Sequence, residues 1–297
     1  MKVVLFCGGL GTRLREYSES IPKPMVPIGY RPILWHLMKY YAHFGHREFI
    51  LCLGYRADVI KQYFLNYDEC LSNDFSLSGG GRTLELHSRD MEDWKITFVD
   101  TGLHSNVGQR LKAVEHHLGD DEVFLANYAD GLSDLSLPDF LEQFQQHDCI
   151  GSFLSVRPSQ SFHLVSADET GRVRDIRHVG QAHVWINGGF FAFKRAIFDY
   201  LKEGEELVEE PFQRLIADGQ LMAYRSTGFW QCMDTFRDKQ VLDDLNTRGN
   251  PPWEVWKRLA GAPPPAPEAP GEASSPAPDG LREVSRTVEP EPRAARR

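Results

Sequence analysis

The residues with the clearest chemical potential form a glycine-rich segment directly after the first apolar run. That run spans Val3 to Phe6, and the segment after Cys7 reads GGLGTR. Glycines let backbone N–H groups approach phosphate oxygens, and an arginine binds the same oxygens through two N–H groups. A turn at the carboxyl end of a buried strand is also where α/β sheets bind ligands. The residues predicted to contact phosphate are Gly8, Gly9, Gly11, Thr12 and Arg13.

Three interpretations of this segment compete. A dinucleotide-binding turn needs a third glycine, but Leu14 stands in its place, and the chain has no Gly-Lys-Ser/Thr P-loop. An ordinary glycine-rich turn stays open on the loop alone. Ten residues after Arg13, however, Lys23 stands between Pro22 and Pro24. Prolines stiffen the backbone on both sides, so this ammonium group is aimed, which favours phosphate binding over an ordinary turn.

Two aspartates are candidates for holding a divalent metal. Asp130 follows the apolar run from Val123 to Ala126, and Asp234 lies far away in the segment WQCMDT. Mg²⁺ needs only one or two carboxylates when phosphates and waters complete its coordination. Each aspartate alone is more typical of a turn or a helix cap. The residues by themselves therefore leave both interpretations open.

The loop and the lysine together resemble the signature of the sugar-phosphate nucleotidyltransferases, which is GGxGTRL followed by a short spacer and PKPM. This pairing is far more specific than a lone glycine motif. The resemblance runs from residue 1 to about residue 258 and is strongest toward the cytidylyltransferase branch. The supporting stretches are Pro32–His36, Trp94, Val99–Gly102, Ile186–Phe191 and Gly228–Thr235.

The resemblance implies transfer of a nucleotidyl group, with CMP from CTP as the first expectation, to a sugar 1-phosphate such as glucose 1-phosphate. The products would be a nucleotide sugar and pyrophosphate, and UTP, dTTP and GTP stay open as donors. Such a reaction needs positioning, cations and Mg²⁺ more than covalent help from side chains. The resemblance assigns Mg²⁺ to Asp130 and Asp234, and catalysis to Arg13 and Lys23. The other implied contacts are the glycine-rich loop, Ser105, Arg110 and Ala129 for the nucleotide, and Lys23, Asn187 and Gly188 for the sugar phosphate.

Two positions near the nucleotide depart from the family pattern. Ala129 stands where the family usually has glycine, immediately before Asp130. The additional methyl group is expected either to be tolerated or to crowd the sugar or nucleotide. Gln109 replaces the second glycine of a GGRL run that precedes Leu111 in the family. The alternative for Arg110 is a solvated arginine near a helix N-terminus.

The acceptor side departs further from the pattern. Many relatives carry a lysine that binds the sugar phosphate, and Val179 stands in its place. Arg174, Arg177 and His178 are the nearby substitutes, although a solvated loop position is the alternative for Arg177 and His178. The loss favours a changed acceptor, reduced turnover on glucose 1-phosphate, or a non-catalytic nucleotide-binding homologue. A glycosyltransferase is a further alternative, but its usual Asp-x-Asp motif is absent because Leu132 stands two residues after Asp130.

Strand-like and helix-like segments alternate along the chain, as in a sheet with helices on both faces. They predict an α/β fold, a single Rossmann-like domain with a mixed, mostly parallel sheet flanked by helices, which the resemblance makes glycosyltransferase-A-like. The predicted strands are Val3–Phe6, Phe49–Leu53, Ile96–Val99, Val123–Ala126, Gly151–Val156, Val184–Phe193 and Leu221–Tyr224. The predicted helices are one that begins at Pro32 and stops at Gly45, then Asp58–Leu65, Leu111–Leu118, Ala196–Lys202, Glu210–Ala217 and Asp238–Leu245.

Composition limits the classes of partner and the location. A net charge of −9 over 297 residues disfavours a nucleic-acid polymer as partner. The five cysteines have no CxxC spacing, so they predict neither a zinc site nor a disulfide framework, and a cytoplasmic protein is expected. The run from Val3 to Cys7 is too short for a signal peptide or a membrane span.

The composition changes sharply near Gly261. Residues 261–297 hold nine of the eighteen prolines and few large aliphatic side chains. Such a segment cannot bury enough apolar surface to offset its ordering entropy. The sequence therefore predicts a nucleotidyltransferase domain over residues 1–258 and a disordered Pro/Ala-rich tail over 259–297. Because members of the family commonly form oligomers, a homo-oligomer is among the expected states.

Overall fold

A seven-stranded sheet forms the centre of the protein. The computed structural model describes residues 1–11, 21–91, 93–158, 162–182 and 184–258, and these residues belong to one compact unit. The strands in chain order are Val3–Phe6 (β1), Pro27–Ile28 (β2), Arg31–Pro32 (β3), Glu48–Leu53 (β4), Phe75–Ser78 (β5), Thr83–Leu86 (β6), Lys95–Asp100 (β7), Val123–Asn127 (β8), Gly131–Ser133 (β9), Gly151–Val156 (β10), His163–Ala167 (β11), Val173–His178 (β12), Ile186–Lys194 (β13), Leu221–Ser226 (β14) and Trp230–Cys232 (β15).

The central sheet has the strand order β14–β10–β13–β8–β1–β4–β7. Four of its pairings are parallel, and the two pairings of β13 are antiparallel. The carboxyl ends of β1, β4, β8, β10 and β14 therefore meet the amino end of β13 at one edge. This arrangement confirms the predicted mixed, mostly parallel sheet, and it brings distant loops together at that edge.

Helices cover both faces of this sheet. Val3 and Leu5 pack into one buried cluster, whereas Val4 and Phe6 pack into another, because successive side chains of a strand point to opposite faces. Both faces are thus buried, which explains why these strands read as continuous apolar runs. The α-helices are Ile33–His43 (α1), Ala57–Leu65 (α2), Glu69–Ser72 (α3), Val107–Ala113 (α4), Leu137–His147 (α5), Ile197–Tyr200 (α6), Glu210–Ala217 (α7) and Phe236–Thr247 (α8).

The first helix is buried on more than one face. Ile33, Leu34, Leu37, Met38 and Tyr41, which the sequence predicts to share an apolar face, are buried, and so are Trp35, His36 and Tyr40. His36 accepts a hydrogen bond from the indole Nε1 of Trp253 at 3.3 Å and lies 3.1 Å from the carbonyl of Ile28 through its other ring nitrogen. The segment near Trp253 therefore covers the outer side of α1.

Most predicted elements are present, with limited differences. All seven predicted strands occur, with ends shifted by at most two residues. The helix predicted over Leu111–Leu118 instead begins at Val107, ends at Ala113 and continues as a separate 3-10 turn over Glu115–Leu118. The helix predicted over Ala196–Lys202 is shorter, at Ile197–Tyr200. No helix in the described ranges is long and apolar enough to cross a membrane. The predicted tail over 259–297 lies outside the described residues.

Candidate active site

A cleft of about 450 Å³ lies at the edge of the sheet where β1 and β8 end. Its walls come from the glycine-rich loop, the Lys23 segment, the N-terminus of α4 and the segments after β8 and β15. This convergence has a topological cause, because parallel strands place their following loops at the same edge. The residues that line the cleft are Phe6, Gly9, Leu10, Gly11, Lys23, Pro24, Ser105, Asn106, Val107, Arg110, Tyr128, Asp130, Glu206 and Asp234.

The two predicted metal-binding aspartates meet in this cleft. They meet because β9 pairs with β15, which sets Gly131 opposite Cys232. One residue beyond, the backbone N–H of Met233 donates to the carbonyl oxygen of Asp130 at 2.9 Å. The carboxylates of Asp130 and Asp234 then face the same point. A two-stranded ribbon thus joins residues that are far apart in the sequence.

The ammonium group of Lys23 lies between these carboxylates. Its Nζ is 2.6 Å from Oδ2 of Asp130 and 2.5 Å from Oδ1 of Asp234. Burial alone would lower the pKa of Lys23, but the charges of Asp130 and Asp234 outweigh burial and leave the pKa raised. Lys23 is thus fixed as a cation. The two carboxylates together favour a positive charge at the point where they converge.

The glycine-rich loop approaches this point from β1. Gly9 and Gly11 line the cleft, and Gly11 has a φ of 62°, in the left-handed region that favours glycine. Gly8 is buried behind them, and a Cβ at Gly8 would come within 2.0 Å of a guanidinium nitrogen of Arg110. Thr12 and Arg13, which were predicted to bind the nucleotide, lie outside the described residues.

Arg110 supports the loop from beneath as well as lining the cleft. Its guanidinium donates to the carbonyl oxygens of Gly8 at 3.0 Å and Leu53 at 3.1 Å, and to Oγ1 of Thr101 at 2.8 Å. Burial lowers the pKa of Arg110, yet an arginine stays charged in proteins. Arg110 therefore places a buried positive charge directly behind the phosphate-binding loop. It is not the solvated arginine of the alternative interpretation.

Ser105 and the start of α4 form the neighbouring wall. The hydroxyl of Ser105 donates to the carbonyl of Thr101 at 2.5 Å. Asn106 caps the helix, since its side chain accepts from the backbone N–H of Gln109 and its own N–H donates to the side chain of Gln109. This reciprocal capping box fixes where the helix begins. It also explains the earlier start of α4 relative to the sequence prediction.

A match to a family model identifies the kind of protein that carries this cleft. Residues 2–238 match the family described as nucleotidyl transferase. The chain belongs to the nucleotidyl transferase family. The match covers the loop, Lys23 and both aspartates. It therefore agrees with the resemblance that the GGxGTRL and PKPM motifs predict.

Individual relatives agree with this assignment. The glucose-1-phosphate cytidylyltransferase of Salmonella typhi is 39% identical over 259 residues, which are 86% of this chain and 100% of that protein. A solved UDP-glucose pyrophosphorylase complexed with UDP-glucose has a TM-score of 0.61 at 16% identity and covers 84% of this chain and 99% of its own. HddC from Yersinia pseudotuberculosis has a TM-score of 0.57 at 21% identity, with coverages of 82% and 98%. The two structural similarities support the fold alone.

The two departures from the nucleotidyl transferase pattern near the nucleotide have structural explanations. Gln109 completes the capping box of α4, which a glycine cannot do. Ala129 has a φ of 63° and no exposed surface, and its N–H donates to Oδ1 of Asn127 at 3.0 Å. Ala129 therefore lies beneath the cleft and does not line it, and its contact with the nucleotide stays a prediction. A left-handed backbone explains why glycine suits this position.

Two of the predicted acceptor residues of the nucleotidyl transferase, Asn187 and Gly188, lie beside the cleft and not in its wall, whereas Lys23 lines it. Asn187 donates to the hydroxyl of Tyr128 at 3.2 Å, and Tyr128 lines the cleft. The carbonyl of Gly188 accepts from Nε1 of Trp230 at 2.8 Å. Both residues thus orient the aromatic side chains at this edge. Tyr128 was not singled out by the sequence, because nothing distinguishes it from the core aromatics around it.

The segment that replaces the family lysine forms a hairpin, β11–β12, which the sequence did not predict. Val179 is buried, and its N–H donates to the carbonyl of Phe162 at 2.8 Å. Arg174 pairs with Asp168 at 2.7 Å, and Arg177 pairs with Asp175 at 2.5 Å. None of the three lines the cleft. The two arginine substitutes for the lysine are therefore engaged with carboxylates of their own hairpin, whereas Nδ1 of His178, the third, accepts from the backbone N–H of Gly180 at 3.1 Å.

Glu206 is a further cleft residue that sequence reasoning missed. Its Oε2 accepts from the backbone N–H of Val107 at 3.2 Å, at the N-terminus of α4. The chain near Glu206 approaches α4 so closely that a Cβ on Gly108 would lie 2.3 Å from the carbonyl oxygen of Glu205. Gly108 is therefore required for packing. No sequence signal connects these two segments, because the contact arises only when α4 docks.

The donor set at Asp130 and Asp234 suits a hard cation. Within the described ranges, no three His, Cys, Asp or Glu side chains are grouped to hold a metal ion. Mg²⁺, however, often takes only one or two carboxylates from the protein and completes its coordination with phosphates and waters. The two aspartates already share one positive charge, that of Lys23. The residues present therefore fit Mg²⁺ bound together with a nucleotide.

Proposed function

We propose that this nucleotidyltransferase transfers CMP from CTP to a sugar 1-phosphate such as glucose 1-phosphate, with release of pyrophosphate. The observation that carries the proposal is the convergence of Lys23, Asp130 and Asp234 at the mouth of the glycine-rich loop. A loop alone would fit many phosphate ligands. A loop facing a fixed cation and two carboxylates fits a triphosphate that arrives with a divalent metal.

The reaction balances without a covalent enzyme intermediate. A phosphate oxygen of the sugar 1-phosphate forms a bond to the α-phosphorus of CTP. The bond from that phosphorus to the bridging oxygen of the β-phosphate breaks, and its electron pair leaves with pyrophosphate. Asp130 and Asp234 would hold Mg²⁺, which supplies Lewis-acid neutralisation of phosphate charge when bound.

The described residues have distinct tasks in this scheme. Gly9 and Gly11 allow the triphosphate to approach the backbone. Arg110 contributes a buried positive charge behind the loop, and Lys23 contributes one at the reacting phosphate. Since the transition state carries more negative charge than the substrates do on these atoms, fixed cations lower its free energy. Arg13 is proposed to add a further cation on the same oxygens.

The choice of base and acceptor rests on relatives. The 39% identity to a glucose-1-phosphate cytidylyltransferase over its full length supports CTP and glucose 1-phosphate as first substrates. The hairpin around Val179 supports an acceptor site that differs from the family pattern. A homo-oligomer and a cytoplasmic location are proposed on the family resemblance and the cysteine pattern.

The test is a matrix of nucleotides and acceptors. Purified protein with Mg²⁺ is incubated with each of CTP, UTP, dTTP, GTP and ATP against a panel of sugar 1-phosphates, and pyrophosphate release is measured. We expect the highest rate with CTP. If no combination releases pyrophosphate above the protein-free control, the proposal is wrong.

A second candidate function is that of a nucleotide-binding homologue without turnover, and the substrate matrix together with calorimetry distinguishes it from the active enzyme. Burial of Val179 at the position of the family lysine favours this candidate. Calorimetry with CTP and Mg²⁺ measures nucleotide binding independently of turnover. CTP binding without pyrophosphate release from any acceptor would identify the non-catalytic homologue.

A further inference from the structure

The acceptor side of the site needs positive charge, and the two arginines beside Val179 are engaged elsewhere. Val179 is apolar, and Arg174 and Arg177 are paired with Asp168 and Asp175. A sugar phosphate carries negative charge that the protein must balance in a partly desolvated site. Other cations at the same sheet edge are therefore candidates for this task.

Two arginines flank an indole ring at that edge. The guanidinium carbon of Arg157 lies 5.7 Å from the ring centroid of Trp185, and that of Arg225 lies 5.3 Å from it. Trp185 is half-buried, whereas both arginines are exposed. Contacts of this length are cation–π interactions, which hold a guanidinium over a ring without neutralising it. The Arg157–Trp185–Arg225 cluster therefore presents two positive charges around one indole ring.

Strand register places this cluster next to the predicted acceptor residues. Arg225 of β14 is paired with Ser155 of β10, and Ser155 is paired with Asn187 of β13. The three form one row across the sheet, and side chains in such a row share a face. Arg157 follows β10, and Trp185 precedes β13, where Val156 pairs with Ile186.

The row leads back to the cleft. Asn187 donates to the hydroxyl of Tyr128, which lines the cleft beside Asp130. β10 and β14 end at the same edge as β8, because β13 is antiparallel to both β10 and β8. The cluster therefore lies on the acceptor flank of the site, on the side away from the glycine-rich loop.

The charge of the cluster is not neutralised within the described part of the chain. Among those residues, no carboxylate lies within ion-pair distance of Arg157 or Arg225. Three other exposed arginines do have such a partner, for example Arg47 with Asp93 at 2.8 Å. Two guanidinium groups that contact the same ring repel each other, and an anion near both reduces this repulsion. The arrangement thus favours a bound anion.

We propose that the Arg157–Trp185–Arg225 cluster binds anionic oxygens of the acceptor substrate and replaces the absent lysine. The inference rests on the proposed nucleotidyl transfer. The acceptor class is a sugar phosphate whose charged group lies between the two guanidinium groups and whose ring packs on the indole of Trp185. The charged group is either the 1-phosphate itself or a second anionic group on the sugar, and both present the same phosphate-type oxygens.

The test measures acceptor and nucleotide binding separately. Variants Arg157→Gln, Arg225→Gln, the double variant and Trp185→Leu are compared with wild type for KM of the acceptor, KM of CTP and kcat. A charge-assisted hydrogen bond lost to substrate corresponds to about a tenfold or larger rise in KM. We expect that rise for the acceptor in each arginine variant, a larger one in the double variant, and an unchanged KM for CTP.

Two acceptors distinguish the two sources of charge. Glucose 1-phosphate carries one phosphate, and glucose 1,6-bisphosphate carries two. An equal rise in KM for both indicates that the cluster binds the 1-phosphate. A rise only for the bisphosphate indicates that it binds a second anionic group. Either result supports the cluster as an acceptor site, and Arg225→Lys is expected to restore part of the binding.

Arg248→Gln is the matched control, because it removes an exposed arginine charge at the C-terminal end of α8, outside the cluster. An unchanged KM for both glucose 1-phosphate and glucose 1,6-bisphosphate in the double variant would overturn the proposal. An equal rise in the control, or an equal rise in KM for CTP, would overturn it as well, since either would indicate a general charge effect.

Calorimetry keeps this proposal separate from the proposed function. Binding of glucose 1-phosphate and of the bisphosphate is measured in the presence of a non-hydrolysable CTP analogue and Mg²⁺, so no turnover is needed. If wild type binds an acceptor, the double variant does not, and no pyrophosphate is ever released, the nucleotidyl transfer fails while the cluster stands. If turnover proceeds and the double variant binds like wild type, the cluster alone fails.

Discussion

At the scale of single residues, the account depends on Lys23 and the two aspartates that it contacts. The prolines on either side of Lys23 and the GGLGTR motif indicated a phosphate site from the sequence. The convergence of Asp130 with Asp234 was implied only by resemblance, because their proximity depends on the β9–β15 pairing. A short ribbon of three residues per strand gives no periodicity that a sequence pattern can reveal.

Removal of either carboxylate tests this convergence. Asp130→Asn and Asp234→Asn keep the shape of the side chain but remove a charge that faces Lys23 and the proposed metal. We expect kcat/KM for pyrophosphate release to fall about 100-fold or more in each variant. Asp121→Asn is the control, since Asp121 forms only a peripheral ion pair with Lys2 at 3.3 Å. Activity near wild type in both test variants would contradict the assignment.

Ala129 allows a test of backbone strain in the site. A left-handed residue other than glycine costs about 1–2 kcal/mol, which Ala129→Gly would recover. The same substitution loses a buried methyl group worth about 0.8 kcal/mol. It also increases the entropy of the unfolded chain, which costs about 0.4–1 kcal/mol. We therefore expect Ala129→Gly to unfold in urea within about 1 kcal/mol of wild type. Ala129→Val should be destabilised by about 2 kcal/mol or more, because a branched side chain fits neither the φ of 63° nor the core. Equal free energies of unfolding for the Val and Gly variants would contradict the proposed backbone strain at residue 129.

At the scale of elements, the sheet and helices were largely predictable, whereas their connections were not. Strands such as β1 and β4 are continuous apolar runs bounded by polar segments, so their type and position follow from the sequence. The start of α4 was missed because it depends on the reciprocal hydrogen bonds of Asn106 and Gln109. The β11–β12 hairpin was missed because its strands are exposed on both faces and lack alternation.

The contact between α1 and the chain near Trp253 predicts a pH dependence of stability. Burial lowers the pKa of His36 from 6.5 to about 4. The imidazole ring of His36 is therefore neutral in the folded protein. Its contribution to the free energy of unfolding is fully present above pH 6.5 and is lost as the pH falls toward 4. Over that window the linked loss is about 3 kcal/mol.

His36→Gln removes this titration while keeping a hydrogen-bond donor for Ile28. We expect the free energy of unfolding of wild type to decrease by about 2–3 kcal/mol more than that of His36→Gln between pH 7 and pH 4.5. His46, whose pKa is also lowered to about 4 by burial, is present in both proteins and cancels in the difference. Parallel pH profiles of the two proteins would exclude this role of His36.

At the scale of the whole molecule, the proposed domain ends with the segment that covers α1. Trp253 is 1% exposed and Val255 is 7% exposed, so both belong to the core. Arg258 donates to Asp134 at 3.4 Å and to the carbonyl of Pro252 at 2.6 Å. The boundary at residue 258 stays a prediction from the change in composition after it, since Pro/Ala-rich sequence lacks the apolar side chains of a core.

Truncation tests this boundary. A chain ending at Arg258 is expected to have the same melting temperature and the same pyrophosphate release as the full chain. A chain ending at Asn250 loses the packing of Trp253, and removal of a buried Trp side chain costs about 3–5 kcal/mol. We expect that shorter chain to melt at a markedly lower temperature or to be insoluble. Loss of activity in the chain ending at Arg258 would move the boundary into the Pro/Ala-rich segment.

The central claim is that this cleft transfers CMP to a sugar 1-phosphate. Phosphorus NMR follows every phosphorus atom of the reaction at once. The reaction contains CTP, glucose 1-phosphate, Mg²⁺ and purified protein that is free of inorganic pyrophosphatase. The account predicts new diphosphate resonances of a cytidine diphosphate sugar with an equal amount of pyrophosphate, and neither product with the Asp130→Asn Asp234→Asn double variant. Formation of CDP or CMP without a nucleotide sugar, or equal product from the double variant, would contradict it.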